Sequence, residues 1–254
     1  MNSSTNASKT ICIISYYGLK NPLGLAASSF KKIGYNVVDF PYIQYAKDKY
    51  DSKENYLEML VECLNNKVDI VLWWCFDISP TNLEYVKSNT DKNIKHILFN
   101  WDEPFNWECN NMASKAKYLD CAFITCNETV PKYIKNNCKE AFFTLCGHDK
   151  KVHDVILDYS DEHEKYECDI SMCCTNLYED INTYPDQYIN RKELVDNIYN
   201  NQEKYGYTFH IYGPEALKNI YPLSYKGYIS YEDSNILFNK SKKVYLYFSL
   251  YALS

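Results

Sequence analysis

Residues Val68–Ser88 read VDIVLWWCFDISPTNLEYVKS. The first nine residues are almost unbroken in their apolar character, the pattern of a strand buried on both faces. Ser79-Pro80 then supplies a serine N-cap and a proline at the first helical position, which opens a helix over Thr81–Ser88. A buried strand followed closely by a helix is one unit of a parallel α/β layout. The same alternation repeats on either side. ICIISYY (Ile11–Tyr17) reads as a strand, LGLAASSFKKIG as a helix stopped at Gly34, and NVVDF as the second strand. Leu57, Leu60, Val61 and Leu64 mark one face of a helix by their i, i+3, i+4, i+7 spacing. Strand Ile94–Trp101, a helix over Asn106–Tyr118, strand CAFITC, a helix from Thr129 to Asn136 and strand EAFFTLC complete the set. The expectation for residues 11–146 is a parallel sheet with helices on both faces.

Residues 147–166, GHDKKVHDVILDYSDEHEKY, are charged and carry no strand signal, so they read as a linker. A second alternation fills 167–254. ECDISMCC is a strand, Gln187–Glu203 a helix with Leu194, Val195, Ile198 and Tyr199 inward, and YTFHIYG a strand. YKGYIS is short and extended, Glu232–Lys240 helical, and KVYLYFSL a strand. This second unit is shorter than the ~100–150 residues usual for a domain. It is therefore expected to be incomplete, with the apolar ending YLYFSLYALS offering an edge to a second chain. The polar residues 1–10 are expected to be disordered.

Composition removes several classes of function. The formal net charge is -6 with no basic block, which argues against nucleic acid as a partner. The 11 cysteines include no C-x-x-C pair and read as reduced, buried, small apolar residues. No His/Cys spacing suits zinc, and there is no Asp-x-Asp, so no metal is expected. Neither G-x-G-x-x-G nor G-x-x-x-x-G-K-[ST] occurs, against dinucleotide-binding and P-loop enzymes. The longest apolar runs fall short of the ~20 residues that span a bilayer, and MNSSTNASKT lacks the apolar core expected of a signal peptide. A cytoplasmic, soluble protein is expected. The 26 tyrosines read first as the codon usage of an AT-rich genome, and alternatively as surfaces that stack on sugars or bases.

Several local patterns occur in a fixed order. Asp102-Glu103-Pro104 follows the fourth strand. Asp120–Thr125 reads DCAFIT, Gly147-His148-Asp149 closes the first unit, and Cys168-Asp169-Ile170-Ser171 opens the second. Arg191-Lys192-Glu193-Leu194 begins a helix, Tyr212-Gly213-Pro214 ends a strand, and Gly227-Tyr228-Ile229 precedes LFNKSK. In this order the chain resembles the group 1 glycosyltransferases, especially those of the spore-maturation type. The resemblance implies a GT-B fold of two Rossmann-like domains, with the second incomplete here. The first domain would serve the acceptor and the second a nucleotide-sugar donor, with no separate cofactor and with ligands held at the carboxyl ends of the strands. Members of that family continue past the strand matching KVYLYFSL, so truncation is expected.

The resemblance also assigns candidate residues. Asp102, with Glu103 beside it, would take the acceptor hydroxyl proton; a cap for the following helix is the alternative. Gly18 and Gly24 flank the turn after the first strand, where backbone N–H groups can approach a ligand or simply form a turn. His148 would lie beside the cleft. Thr175 and Asn176 would lie near the donor phosphates, and Arg191, the only arginine, would grip the diphosphate. Tyr212, Gly213, Gly227, Tyr228 and Ile229 would line the nucleobase pocket, largely through backbone atoms. The implied activity is sugar transfer from a nucleotide-sugar to a hydroxyl of a glycan, protein or small molecule, without a metal. The alternatives are a non-catalytic nucleotide- or sugar-binding remnant, and another Rossmann-type enzyme such as an oxidoreductase.

Overall fold

The computed structural model describes residues 8–16, 18–19, 23–43, 45, 56–74, 76–101, 106–145, 147, 160–174 and 185–246. The chain divides into two compact units, Met1–Gly147 and His148–Ser254. Each is built on a sheet whose strand pairs all run parallel.

In the first unit the order along the chain is β1 (Thr10–Ser15), α1 (Leu23–Lys32), β2 (Asn36–Pro41), α2 (Tyr56–Asn65), β3 (Ile70–Trp73) and α3 (Pro80–Asn89). Then come β4 (Lys95–Asn100), α4 (Asn106–Cys109), α5 (Met112–Lys115), β5 (Cys121–Ile124), α6 (Val130–Lys135) and β6 (Glu140–Phe143). The sheet order is β2-β1-β3-β4-β5-β6. The chain steps one way from β1 to β2 and the other way thereafter. Parallel crossovers share one hand, so the direction change moves the helices to the opposite face. The core shows this. Cys12, Ile14, Val71, Trp73 and Leu98 pack with Leu60 and Leu64 of α2, Leu83 and Val86 of α3, Met112 of α5 and Tyr133 of α6. Ile11, Ile13 and Leu72 point the other way, onto Leu23 and Ala27 of α1.

Local signals set the boundaries. The Ser79 Oγ accepts from the Asn82 N–H at 3.1 Å, capping α3 as expected. Gly34, at φ 94°, ends α1, with Gly34 N–H bonded to the Lys31 carbonyl and Tyr35 N–H to that of Phe30. The single helix expected over Asn106–Tyr118 is broken instead. Asn111 adopts a left-handed conformation, φ 50°, which asparagine tolerates better than most residues. A 3-10 turn, Ala116–Tyr118, finishes the segment.

Among the described residues of the second unit, the first element is a 3-10 turn at Asp161–Tyr166, closed by reciprocal bonds between Ser160 and His163. It continues through β7 (Cys168–Cys173), α7 (Pro185–Asn200), α8 (Gln202–Tyr205), β8 (Phe209–Tyr212), α9 (Ala216–Ile220), α10 (Tyr231–Lys240) and β9 (Ser241–Leu246). The sheet order is β8-β7-β9. The segment expected to be extended, YKGYIS, runs parallel beside β8. Ile211 N–H bonds to Ser224 O, and Lys226 N–H to Ile211 O. Val195, Ile198, Leu217 and Tyr221 cover one sheet face, and Tyr166, Ile229 and Leu237 the other. β9 starts two residues before the expected strand.

Aspartates stitch the amino edges of both sheets. Asp69 accepts from the Thr10 N–H at 2.7 Å, Asp120 from the His96 N–H at 2.9 Å, and Asp169 from the Thr208 N–H at 2.8 Å. Each ties the start of one strand to its neighbour, satisfying an amide that the ladder leaves open. Lys139 adds a 2.5 Å contact to Asp120, and Lys242 a 2.6 Å contact to Asp169. None of the described helices is long and apolar enough to cross a membrane.

Candidate functional site

In parallel α/β sheets, ligands gather at the carboxyl ends of the strands, where the strand order reverses. In the first unit that point lies between β1 and β3. The loop after β1 is drawn inward by Asp39 of β2. Its carboxylate accepts from the buried Ser15 hydroxyl at 2.7 Å and from the Leu19 N–H at 3.1 Å, while Ser15 Oγ takes the Gly18 N–H at 3.0 Å. Gly18 sits at φ 98°, and a Cβ there would lie 3.3 Å from Asp39 Oδ2. The Gly18 amide is thus already engaged, and the carboxylate of Asp39 stands where an anionic ligand would approach. Gly24 is the second residue of α1, among the amides of its first turn.

Beside this loop lies a small crevice of about 20 Å³, bordered by Tyr16, Trp74, Phe76, Asn100, Trp101 and Asn110. The rings are ordered against one another. Trp74 stacks on Phe99 with centroids 5.0 Å apart, and Trp101 stands at 87° to both. Asn100, 9% exposed, donates through Nδ2 to the Tyr133 hydroxyl at 3.2 Å. Lys115 is 3% exposed, an unusual place for an ammonium. Its Nζ donates to the Phe76 carbonyl at 2.7 Å and lies 4.8 Å from the Phe76 ring centroid. Asp77 is open to water on one side and crowded by protein on the other. That crowding raises its pKa, and the Lys115 charge draws it partly back. Sequence reading missed Lys115, Asp77, Asn100 and the indole pair. The two tryptophans, one just past β3 and one just past β4, were the available signal.

In the second unit the carboxyl edge is shaped by backbone. Cys174 N–H bonds to Tyr212 O at 3.0 Å, and Gly213 N–H to Gly227 O at 3.0 Å. A Cβ on Gly213 would fall 2.1 Å from the Cys174 carbonyl oxygen and 2.9 Å from Leu217 Cδ1, so only glycine fits. Gly227, at φ 94°, supplies the turn that this pairing needs. Tyr228 is 65% exposed beside it, whereas the side chains of Tyr212 and Ile229 turn into the core. Burial holds the Tyr212 hydroxyl well above its ordinary pKa. Arg191 is half-buried and close enough to act on the Cys174 thiol, which burial pushes up to about 12 and the guanidinium opposes. Arg191 does not open its helix. Pro185 starts α7 earlier, at a position suited to proline, leaving Arg191 as the seventh residue.

The structure therefore brings Arg191, Gly213, Gly227 and Tyr228 to one edge of the second unit and places Gly18 and Gly24 at the corresponding edge of the first. Asp102, Glu103, His148, Thr175 and Asn176 lie outside the described residues. Among the described residues, no group of three or more His, Cys, Asp or Glu side chains is placed to hold a metal ion.

No family model and no curated protein matches the chain.

Proposed function

We propose that the chain is a GT-B-type glycosyltransferase, moving a sugar from a nucleotide-sugar donor to a hydroxyl acceptor without a metal. The second unit would hold the donor and the first the acceptor. The observation that carries the reading is the edge formed by Cys174, Gly213 and Gly227. There two neighbouring segments meet backbone to backbone, Gly213 fitting only as glycine against the Cys174 carbonyl and Leu217, with the exposed Tyr228 ring and the chain's only arginine beside them. Ligands gather at a parallel sheet's carboxyl edge, and the exposed Tyr228 ring offers a face on which a flat base can stack. A guanidinium adds a forked donor matched to phosphate oxygens. In the first unit, Asp102 follows directly on Trp101 of the crevice in sequence. In the proposed reaction it removes the acceptor hydroxyl proton as the acceptor oxygen bonds to the anomeric carbon. The bond from that carbon to the diphosphate breaks, and the nucleoside diphosphate leaves with the electron pair.

The test is a thermal-shift panel of uridine, guanosine and adenosine diphosphate sugars on the full chain, with product release followed by mass spectrometry. The expected outcome is stabilisation by one nucleotide class, lost in Arg191→Gln, and release of the matching nucleoside diphosphate. Stabilisation without release would favour a non-catalytic binder. No shift with any donor, together with a shift from NAD(P), would overturn the proposal in favour of an oxidoreductase.

A further inference from the structure

The crevice of the first unit has a make-up that selects one chemical class of ligand. Tyr16, Trp74, Phe76, Asn100, Trp101 and Asn110 border it, and none of them carries a charge. The nearby ammonium of Lys115 is almost wholly buried and directed to the Phe76 carbonyl oxygen. The enclosed space, about 20 Å³, has room for about one water, so a larger ligand must lie on the rim and not inside.

The rim is a braced aromatic plate. Trp101 stands nearly perpendicular to the stacked Trp74 and Phe99 rings, with centroids 4.3 Å and 5.5 Å away. Trp74 and Trp101 are half-buried, unlike Trp73 and Trp107, which are 0% and 5% exposed. A fixed ring loses little freedom when a ligand lands on it. The half-buried amide of Asn110 supplies a neutral polar group beside that plate.

From this combination we infer that the rim binds a neutral saccharide. A pyranose has a C–H face that lies flat on an indole and hydroxyls around its edge that suit amides. A phosphorylated or acidic sugar would bring a charge that no described rim side chain neutralises, at a desolvation cost. An acyl chain would cover the amide without bonding to it. That this saccharide is the acceptor rests on the glycosyltransferase reading; that it binds does not.

The test uses the full chain and its own tryptophans. Maltose, cellobiose, lactose and chitobiose are titrated against intrinsic fluorescence, with glucose 6-phosphate and glucuronate as charged counterparts. Saturation-transfer NMR on the unmodified protein gives a reading that no variant's folding can confuse. At least one neutral disaccharide is expected to change the emission and receive saturation, with little response to the charged sugars. Trp101→Ala should weaken that binding about tenfold, and Trp101→Phe less, since a ring remains. The inference falls if none of the four disaccharides registers by either method, or if a charged sugar binds more tightly than all of them. A nucleotide-sugar shift without a saccharide response would sink this inference and leave the proposed function standing; the reverse pattern would do the opposite.

Discussion

The carboxyl edges of the two sheets are made differently. In the first unit, side chains fill the edge: Asp39 gathers Ser15 and the Leu19 amide, two indoles and a phenyl ring brace one another, and Lys115 reaches the Phe76 carbonyl. In the second, backbone closes on backbone, with Gly213 packed against the Cys174 carbonyl and Leu217 and bonded to Gly227. An edge made of side chains selects ligands by shape and polarity and tolerates substitution one contact at a time. An edge made of backbone depends on the absence of a Cβ and has no such tolerance. Under the proposed function the first unit would read a neutral ring and the second a nucleotide.

Substitutions at the two edges should break that comparison if it is wrong. Gly213→Ala is expected to have the largest effect, a loss of about 3 kcal/mol or more, because the clash is with a carbonyl oxygen and not a flexible side chain. Chemical denaturation should show it in the second unit. Gly18→Ala, unlike Gly213→Ala, forces a side chain onto a positive φ, but the nearest atom is a carboxylate oxygen 3.3 Å away, so about 1–2 kcal/mol is expected. Equal losses at the two glycines would remove the distinction.

Acid should separate the units next. His96 is buried, its Nδ1 accepting from Trp73 Nε1–H at 3.2 Å, and its pKa falls to about 3. Burial is the main cause, Lys87 adds to it, and Asp120 opposes. Its folded value lies below its unfolded value of about 6.5, so the unfolded chain binds the proton first. The stability from neutral His96 is complete above that value and drains away as pH falls from about 6.5 toward 3. His96→Gln should flatten this limb by an amount on the order of a few kcal/mol. His210, in the second unit, is lowered to about 4 by burial and Lys226 but is partly exposed, so His210→Gln should flatten its limb less. Asp169, held at about 2 chiefly by Lys242 and Thr208, and Asp120, also lowered, act later. Their stabilisation is present above about 3.9 and lost only as pH falls through their folded values. Asp39→Ala should cost about 1–3 kcal/mol by leaving the Ser15 hydroxyl and the Leu19 amide without their acceptor. Melting curves read at several pH values check all three.

Much of the architecture could be read from sequence because it depends on local causes. Apolar runs such as VDIVLWW mark strands, Ser79-Pro80 opens α3 and Gly34 closes α1, and each needs only a few residues of context. The unforeseen features depend on neighbours far along the chain. Asp39 meets Ser15 across 24 positions, and Lys115 meets Phe76 across 39. Nothing in MASKAKYLD separates a buried lysine from a solvated one. The break at Asn111 was misread because asparagine can sit inside a helix as well as in the left-handed conformation that it adopts here. At the candidate site, Gly213 and Gly227 were named from sequence, but the reason for glycine emerges only from the 2.1 Å approach to Cys174. The Asp69, Asp120 and Asp169 stitches show that the acidic residues opening three strands serve the sheets' amino edges, away from the candidate sites.

The most direct test of the central claim is amide NMR on isotope-labelled full-length chain titrated with the nucleotide sugar that gives the largest thermal shift. The account predicts shifts concentrated at Cys174, Gly213, Gly227 and Tyr228, and their loss in Arg191→Gln. Shifts confined to the first unit, or unaltered by removal of the guanidinium, would contradict it.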